Sequence, residues 1–255
     1  MRMITAAGAS HRGRVRSENQ DSYGQFPLDL RESSREKGRL FIVADGMGGH
    51  KAGREASELA VETLAKAYYA DPSQDAATSL QNAFVEANRR IYHQSLSNSL
   101  YSGMGTTCTA LVLTNGRGVI GHIGDSRIYR VTRRKIVQLT EDHSRVADLV
   151  RRSIITKEQA RTHPERSQLY RALGTRDAVD VDILPSVRLP SDCYCVLCTD
   201  GLFNHVHEDE MQSIVLARSP EDACSALVDL ANERGGHDNI TVQVIHTVVQ
   251  GKKGD

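Results

Sequence analysis

Apolar positions along the chain change period several times, and each change marks an element. Leu40 to Ala44 is a continuous apolar run, the mark of a buried strand. From Ala52 to about Ala70 the period lengthens. Ala56, Leu59, Ala60, Leu64 and Ala67 share one helical face, and Asp71-Pro72 ends the helix. A second helix is predicted from about Asp75 to Ser97, with Leu80, Phe84, Ala87 and Ile91 as its stripe. Strands are expected at Thr106–Leu113, Gly118–Ile123 and Arg127–Val131, the first two joined by an Asn115-Gly116 hairpin turn. Arg145 to about Thr162 reads as a polar, weakly amphipathic helix. Strands at Val179–Leu184 and Tyr194–Cys198, helices near Glu208–Ala217 and Pro220–Glu233, and a last strand at Ile240–Val249 complete the pattern. The segment before Leu40 is assigned no element.

Helices come in pairs between runs of strands, which disfavours the βαβ alternation of a parallel sheet. The predicted class is α+β, a layered fold of antiparallel sheets covered by helix pairs. No repeat and no linker rich in Pro, Gly or Ser interrupts the chain. One domain over residues 1–250 is expected, with a short disordered tail at 251–255.

Composition narrows the function classes without choosing one. The 255 residues are 39% hydrophobic, enough for a sizeable core. Lys+Arg and Asp+Glu both number 32, so no global field favours nucleic acid or an anionic membrane. The N-terminal residues form no signal peptide, and no run approaches the ~20 apolar residues of a membrane span. A soluble, cytoplasmic monomer is the expectation. Five scattered cysteines, an odd number, argue against a disulfide framework. Cys195 and Cys198 imitate a metal or redox pair, but they lie in a strand, where residues three apart point to opposite faces. They read as small buried apolar residues. Asn239-Ile240-Thr241 fits a glycosylation sequon, which has no meaning in a cytoplasmic chain.

The chemistry lies in the carboxylates. Val43-Ala44-Asp45-Gly46-Met47-Gly48-Gly49-His50-Lys51 leaves a strand with one aspartate and then three glycines in four residues. A glycine-rich turn before a helix suits phosphate, yet the first polar group offered is an anion. The nucleotide-loop patterns fail by spacing, because Ala52 follows Lys51 and Lys51 stands where a third glycine belongs. Asp125, Asp200 and Asp238 likewise end strands or glycine turns, and Asp21 sits early in the chain. Any single Asp-Gly is ordinary turn chemistry. Strands of one sheet layer, however, deliver their ends to a common rim. Converging carboxylates would repel one another unless a hard divalent cation sat among them, and an all-oxygen set selects Mg²⁺ or Mn²⁺.

The ordered series Arg16-Ser17-Glu18-Asn19-Gln20-Asp21, Val43 to Gly49, Gly103-Met104-Gly105-Thr106-Thr107, Gly124-Asp125-Ser126-Arg127, Cys198-Thr199-Asp200-Gly201 and Gly236-His237-Asp238-Asn239 resembles the metal-dependent Ser/Thr protein phosphatases. This is the PPM family, type 2C, and the bacterial single-domain branch matches best. The resemblance spans roughly residues 8 to 247. It implies a four-layer α-β-β-α sandwich whose two central antiparallel sheets are each covered by a helix pair. It also implies two Mn²⁺ or Mg²⁺ ions at one end, bridged by Asp45, with the Gly46 carbonyl on one and Asp200 and Asp238 completing the pair. Asp21 would act through metal-bound water, and Asp125 with Asp200 matches the third-metal position of bacterial members. Arg16 matches the phosphate-binding arginine, a planar fork for two oxygens. The implied reaction is in-line attack of a metal-bridging hydroxide on phosphoserine or phosphothreonine.

Two positions depart from many relatives. Met47 stands where eukaryotic members carry a histidine proposed as general acid, which leaves His50 or a metal-bound water as proton donor. Gln20 replaces a glutamate. Residues 142 to 174 match the family's flap, and Arg145, Arg151, Arg152, Lys157, Arg161, Arg166 and Arg171 make it basic. Such a flap either steers acidic phosphorylated segments or is a solvated helical surface. The expected partners are phosphorylated Ser/Thr proteins and a cognate Ser/Thr kinase. Two alternatives stay open: a catalytically silent phosphoprotein-binding module and a small-molecule phosphomonoesterase.

Overall fold

Side chains along the strand Arg39–Met47 divide between two cores. Leu40, Ile42 and Ala44 pack beneath helices, while Phe41 and Val43 face the opposing sheet, and all five are fully buried. Strand alternation makes this division, so the continuous apolar run is one wall shared by two layers. The computed structural model describes residues 2–27, 37–49, 51–114 and 117–249. His50, the Asn115-Gly116 turn and the tail at 251–255 lie outside the described residues.

Among the described residues the order is β1 (Arg2–His11), β2 (Asp21–Phe26), β3 (Arg39–Met47), α1 (Lys51–Ala70) and α2 (Ala76–Ser97). There follow β4 (Gly105–Thr106), β5 (Cys108–Thr114), β6 (Arg117–Ile123), β7 (Arg127–Val131), β8 (Ile136–Gln138), α3 (Arg145–Arg151) and α4 (Lys157–Arg161). The chain closes with β9 (Asp182–Arg188), β10 (Asp192–Cys198), α5 (Asp200–Phe203), α6 (Glu208–Ala217), α7 (Pro220–Glu233) and β11 (Ile240–Val249). One sheet has the order β1-β11-β10-β7-β8 and the other β2-β3-β5-β6-β9, with β4 added to β3. Every strand pair is antiparallel.

Three cores hold the layers. Ala56, Leu64, Leu80 and Phe84 of α1 and α2 cover the second sheet, and Met211, Val215, Leu227 and Ala231 of α6 and α7 cover the first. Phe41, Leu111, Ile120, Ile128 and Leu197 fill the space between the sheets. The expected α-β-β-α sandwich is what the chain adopts. Cys195 lies in the inter-sheet core and Cys198 under α6 and α7, on opposite faces of β10 as the alternation requires. All five cysteines are buried, and among the described residues none forms a disulfide.

Several expectations are corrected. The unassigned N-terminal segment holds β1 and β2, whose Ala- and Gly-rich or polar composition is poor in strand formers. Ten-residue pairing of β1 with β11 supplies what composition lacks. β8 was also not anticipated. The strand expected at Val179–Leu184 runs instead over Asp182–Arg188, through Pro185. Proline is tolerated because β9 is an edge strand and the register with β6 shifts there. The single helix expected over 145–162 is two. Ser153 adopts φ 58, and Thr156 opens α4 with a reciprocal capping box to Gln159.

Phe41→Ala removes a fully buried ring from the inter-sheet core. It is expected to cost about 3–5 kcal/mol of stability, seen as a lower denaturant midpoint with an unchanged slope.

Candidate metal centre

Antiparallel pairing turns the start of one strand and the end of its neighbour to the same rim. Asp21 opens β2 and lies directly across from Asp45 near the end of β3. Asp125 follows β6, Asp200 follows β10, and Asp238 precedes β11. Asp21 and Asp125 are 8% and 9% exposed, and Asp45, Asp200 and Asp238 are half-buried.

These carboxylates perturb one another. Burial, then Asp21, Asp200, Asp125 and Asp238, hold the Asp45 carboxyl well above the usual carboxylate range. Burial raises Asp21 to about 7, against the pull of hydrogen bonds from Thr241 and Thr199 and with help from Asp200 and Asp238. Asp200 rises to about 6 through burial and Asp238, relieved in part by Arg127 and Arg16. Asp125 is raised by burial, Asp200 and Asp142, while Arg127 opposes.

A frame of short polar contacts holds the acids in place. The Asp45 N–H donates to Thr107 Oγ1 at 2.9 Å, and its carbonyl accepts from the Thr107 N–H and Thr106 Oγ1, both at 2.9 Å. Thr107 Oγ1 also shares a 2.7 Å bond with Ser126 Oγ, beside Asp125. Asn239 ties the 12–21 loop to Asp238. Its Oδ1 accepts from the Gln20 N–H, its Nδ2 donates to the Arg12 and Glu18 carbonyls, and its N–H donates to Asp238 Oδ1, each at 2.8–2.9 Å. Thr199 Oγ1 donates to Asp21 Oδ2 at 2.8 Å, and Asn204 Nδ2 to Asp200 Oδ2 at 3.2 Å.

The glycines serve this frame. A Cβ at Gly46 would lie 2.0 Å from the Gly53 carbonyl oxygen, and one at Gly201 would lie 1.9 Å from that of Asn239. Gly46 therefore lets β3 approach the first turns of α1, and Gly201 lets α5 approach the loop carrying Asp238.

The donor set suits a hard cation. Asp21 Oδ1 and Asp200 Oδ1 are buried without a hydrogen-bond partner among the described residues, which a buried carboxylate oxygen does not tolerate unaided. All five converging side chains offer oxygen, the preference of Mg²⁺ or Mn²⁺. Among the described residues no three His, Cys, Asp or Glu side chains form a closed ligand group.

Arg16 joins the rim, its Nη2 donating to Asp238 Oδ2 at 2.8 Å with about half of its side chain exposed. His50 lies outside the described residues. Asn204 was not anticipated from sequence, although its place four residues after Asp200 on one helical turn is a usable signal. Thr107, Ser126, Thr199 and Asn239 were visible only as motif letters. Arg127 forks onto Asp142 at 2.7–3.1 Å and stacks on Phe203, 3.6 Å from the ring centroid, closing one side of the centre.

Raised carboxylates set the sign of a pH effect. Folded Asp21 and Asp200 titrate near 7 and 6 against an ordinary 3.8, so the folded chain binds more protons than the unfolded one. Stability of chelated protein should fall as pH rises from about 4 to about 7. Thermal melts are expected to show this decline, and Mn²⁺ should raise the Tm more at about pH 7.5 than at about pH 5. A flat profile in chelator would contradict the arrangement.

Known proteins resemble this chain over most of its length. The family model described as Protein phosphatase 2C matches residues 7–230. Serine/threonine phosphatase stp of Listeria monocytogenes serotype 4b (strain F2365) is 39% identical over 239 residues, 92% of each chain. The crystal structure of serine/threonine phosphatase Stp1 from Staphylococcus aureus superposes with a TM-score of 0.86 at 32% identity, covering 98% of this chain and 96% of that one. The catalytic domain of serine threonine protein phosphatase PstP in complex with 2 manganese ions gives 0.83 at 31% identity, over 98% of this chain and 100% of that one. By matched length, identity and fold, this chain belongs to the protein phosphatase 2C family.

Proposed function

We propose that the chain hydrolyses phosphoserine and phosphothreonine in proteins, using two divalent ions, Mn²⁺ or Mg²⁺, held at the aspartate rim. The observation that carries this is the convergence of Asp21, Asp45, Asp125, Asp200 and Asp238, four of them held above the ordinary carboxylate range. The names of the relatives supply the substrate class, and the PstP complex supplies the manganese precedent.

Asp45 would hold both ions, with the Gly46 carbonyl on one and Asp200 and Asp238 completing the pair. Asp21 would contribute through a water, and Asp125 with Asp200 would hold a third ion. When bound, the ions would supply a hydroxide nucleophile for attack on phosphorus and neutralise charge developing on its oxygens. Arg16 bonds Asp238 through one nitrogen. Its other N–H groups have no acceptor among the described residues and would orient phosphoryl oxygens. Residues 142–174 would form a flap on the substrate side of a single catalytic domain, and a Ser/Thr kinase would generate the substrate. His50 is the side chain proposed to protonate the leaving serine or threonine oxygen.

Hydrolysis of p-nitrophenyl phosphate should require Mn²⁺ and vanish in chelator. Asp200→Asn should lower kcat/KM by at least about 10²–10³-fold. Absence of turnover in folded, metal-loaded protein would leave a phosphoprotein-binding module as the better account. His50→Gln tests the proton donor. A phosphopeptide releases a basic alkoxide and should slow by about 10²-fold, whereas p-nitrophenolate leaves without a proton and should be nearly unaffected. Equal effects on both substrates would return the role to water.

A further inference from the structure

The seven cations of residues 142–174 fall into two sets once their partners are known. Arg145 pairs with Glu165 at 2.8 Å, Arg151 with Glu141 and Asp148, and Arg152 with Asp148 at 2.8 Å. Arg171 pairs with Asp180 and Asp182, and Asp182 also bonds His143 Nε2 at 3.1 Å. Those four are structural. Lys157, Arg161 and Arg166 have no ion pair among the described residues.

All three line one cleft of about 390 Å³, and Asp125 and Asp200 of the metal centre line the same cleft. Of its other acids, Glu141 is neutralised by Arg151 and Asp142 by Arg127, which leaves Glu208 without an ion pair among the described residues. Apart from the centre itself, the balance of unpaired charge is positive. Val146, Val150 and Phe203 give the cleft an apolar lining against which the body of a peptide side chain can pack.

We propose that Lys157, Arg161 and Arg166 form an anion subsite for a carboxylate or a second phosphate flanking the phosphoresidue, so that the enzyme prefers acidic phosphosegments. The proposal rests on the phosphatase reading and adds a substrate preference to it. A phosphosubstrate must approach a rim of five aspartates, and unpaired cations beside that rim offset the repulsion. The two arginines offer planar forks matched to carboxylate or phosphate, and Lys157 a point charge. Arg151 and Arg152, the most obvious basic pair in the sequence, already have acidic partners and are not part of the subsite.

The test uses one phosphothreonine peptide with Ala, Glu or phosphoserine scanned through the positions on either side. The readout is the ratio of kcat/KM for each acidic peptide over the alanine peptide, in which any general loss of activity cancels. Wild-type protein should give a ratio of about 10, the scale of a few screened charge contacts. Lys157→Gln/Arg161→Gln/Arg166→Gln should bring it to about 1, and Arg152→Gln should leave it in place. The Glu and phosphoserine arms tell which anion the subsite takes. A wild-type ratio near 1, a ratio that survives in the triple variant, or its equal loss in Arg152→Gln would each overturn the proposal. Failure to hydrolyse p-nitrophenyl phosphate would overturn the catalytic reading instead. Peptide binding by fluorescence anisotropy, comparing Kd for the same peptides and variants, would then still decide the subsite.

Discussion

Asp21 and Asp45 face each other across an antiparallel strand pair, and Asp125, Asp200 and Asp238 lie near enough to disturb them. Like charges placed this way repel, and burial removes the water that would screen them. Protonation relieves the strain in one direction and a divalent cation in the other, and only the second leaves the acids charged. The threonine and asparagine contacts, the close glycine approaches and the Arg127–Asp142 pair all serve to hold carboxylates where they repel.

The layered fold makes that concentration affordable. Three apolar cores, two under helices and one between the sheets, anchor the strands whose ends carry the acids. Strand ends are natural places for such groups. The backbone leaving a strand is held by its last ladder bonds, while the side chain beyond it is not committed to a core. Asp45 shows both halves of this. Its N–H and carbonyl are fastened by Thr106 and Thr107, and its carboxylate is left to the centre.

The glycines after Asp45 are explained by packing. Gly46 is small because β3 passes against Gly53 of α1, and a side chain there would collide with backbone. A nucleotide loop uses glycine so that its own amides can touch phosphate. Here glycine brings strand and helix together, and the phosphate is expected to meet metal ions instead.

Much of the architecture was legible from residue order alone. β7, α6, α7 and β11 appear at the predicted bounds because long-period or alternating apolar patterns and a first-turn proline are local signals. The aspartates were legible as strand-end acids, and the motif series resembled the family to which the chain belongs. β1 and β2 were not, since their order comes from partners more than a dozen residues away or across a sheet. Nor could sequence divide the seven cations of 142–174 into paired and unpaired sets, because Arg171 finds Asp180 and Asp182 only after the chain folds back. Local pattern determined which elements form and which residue types carry the chemistry. Tertiary structure alone decided which acids face one another and which cations find acidic partners, because charge interactions depend on distance in space.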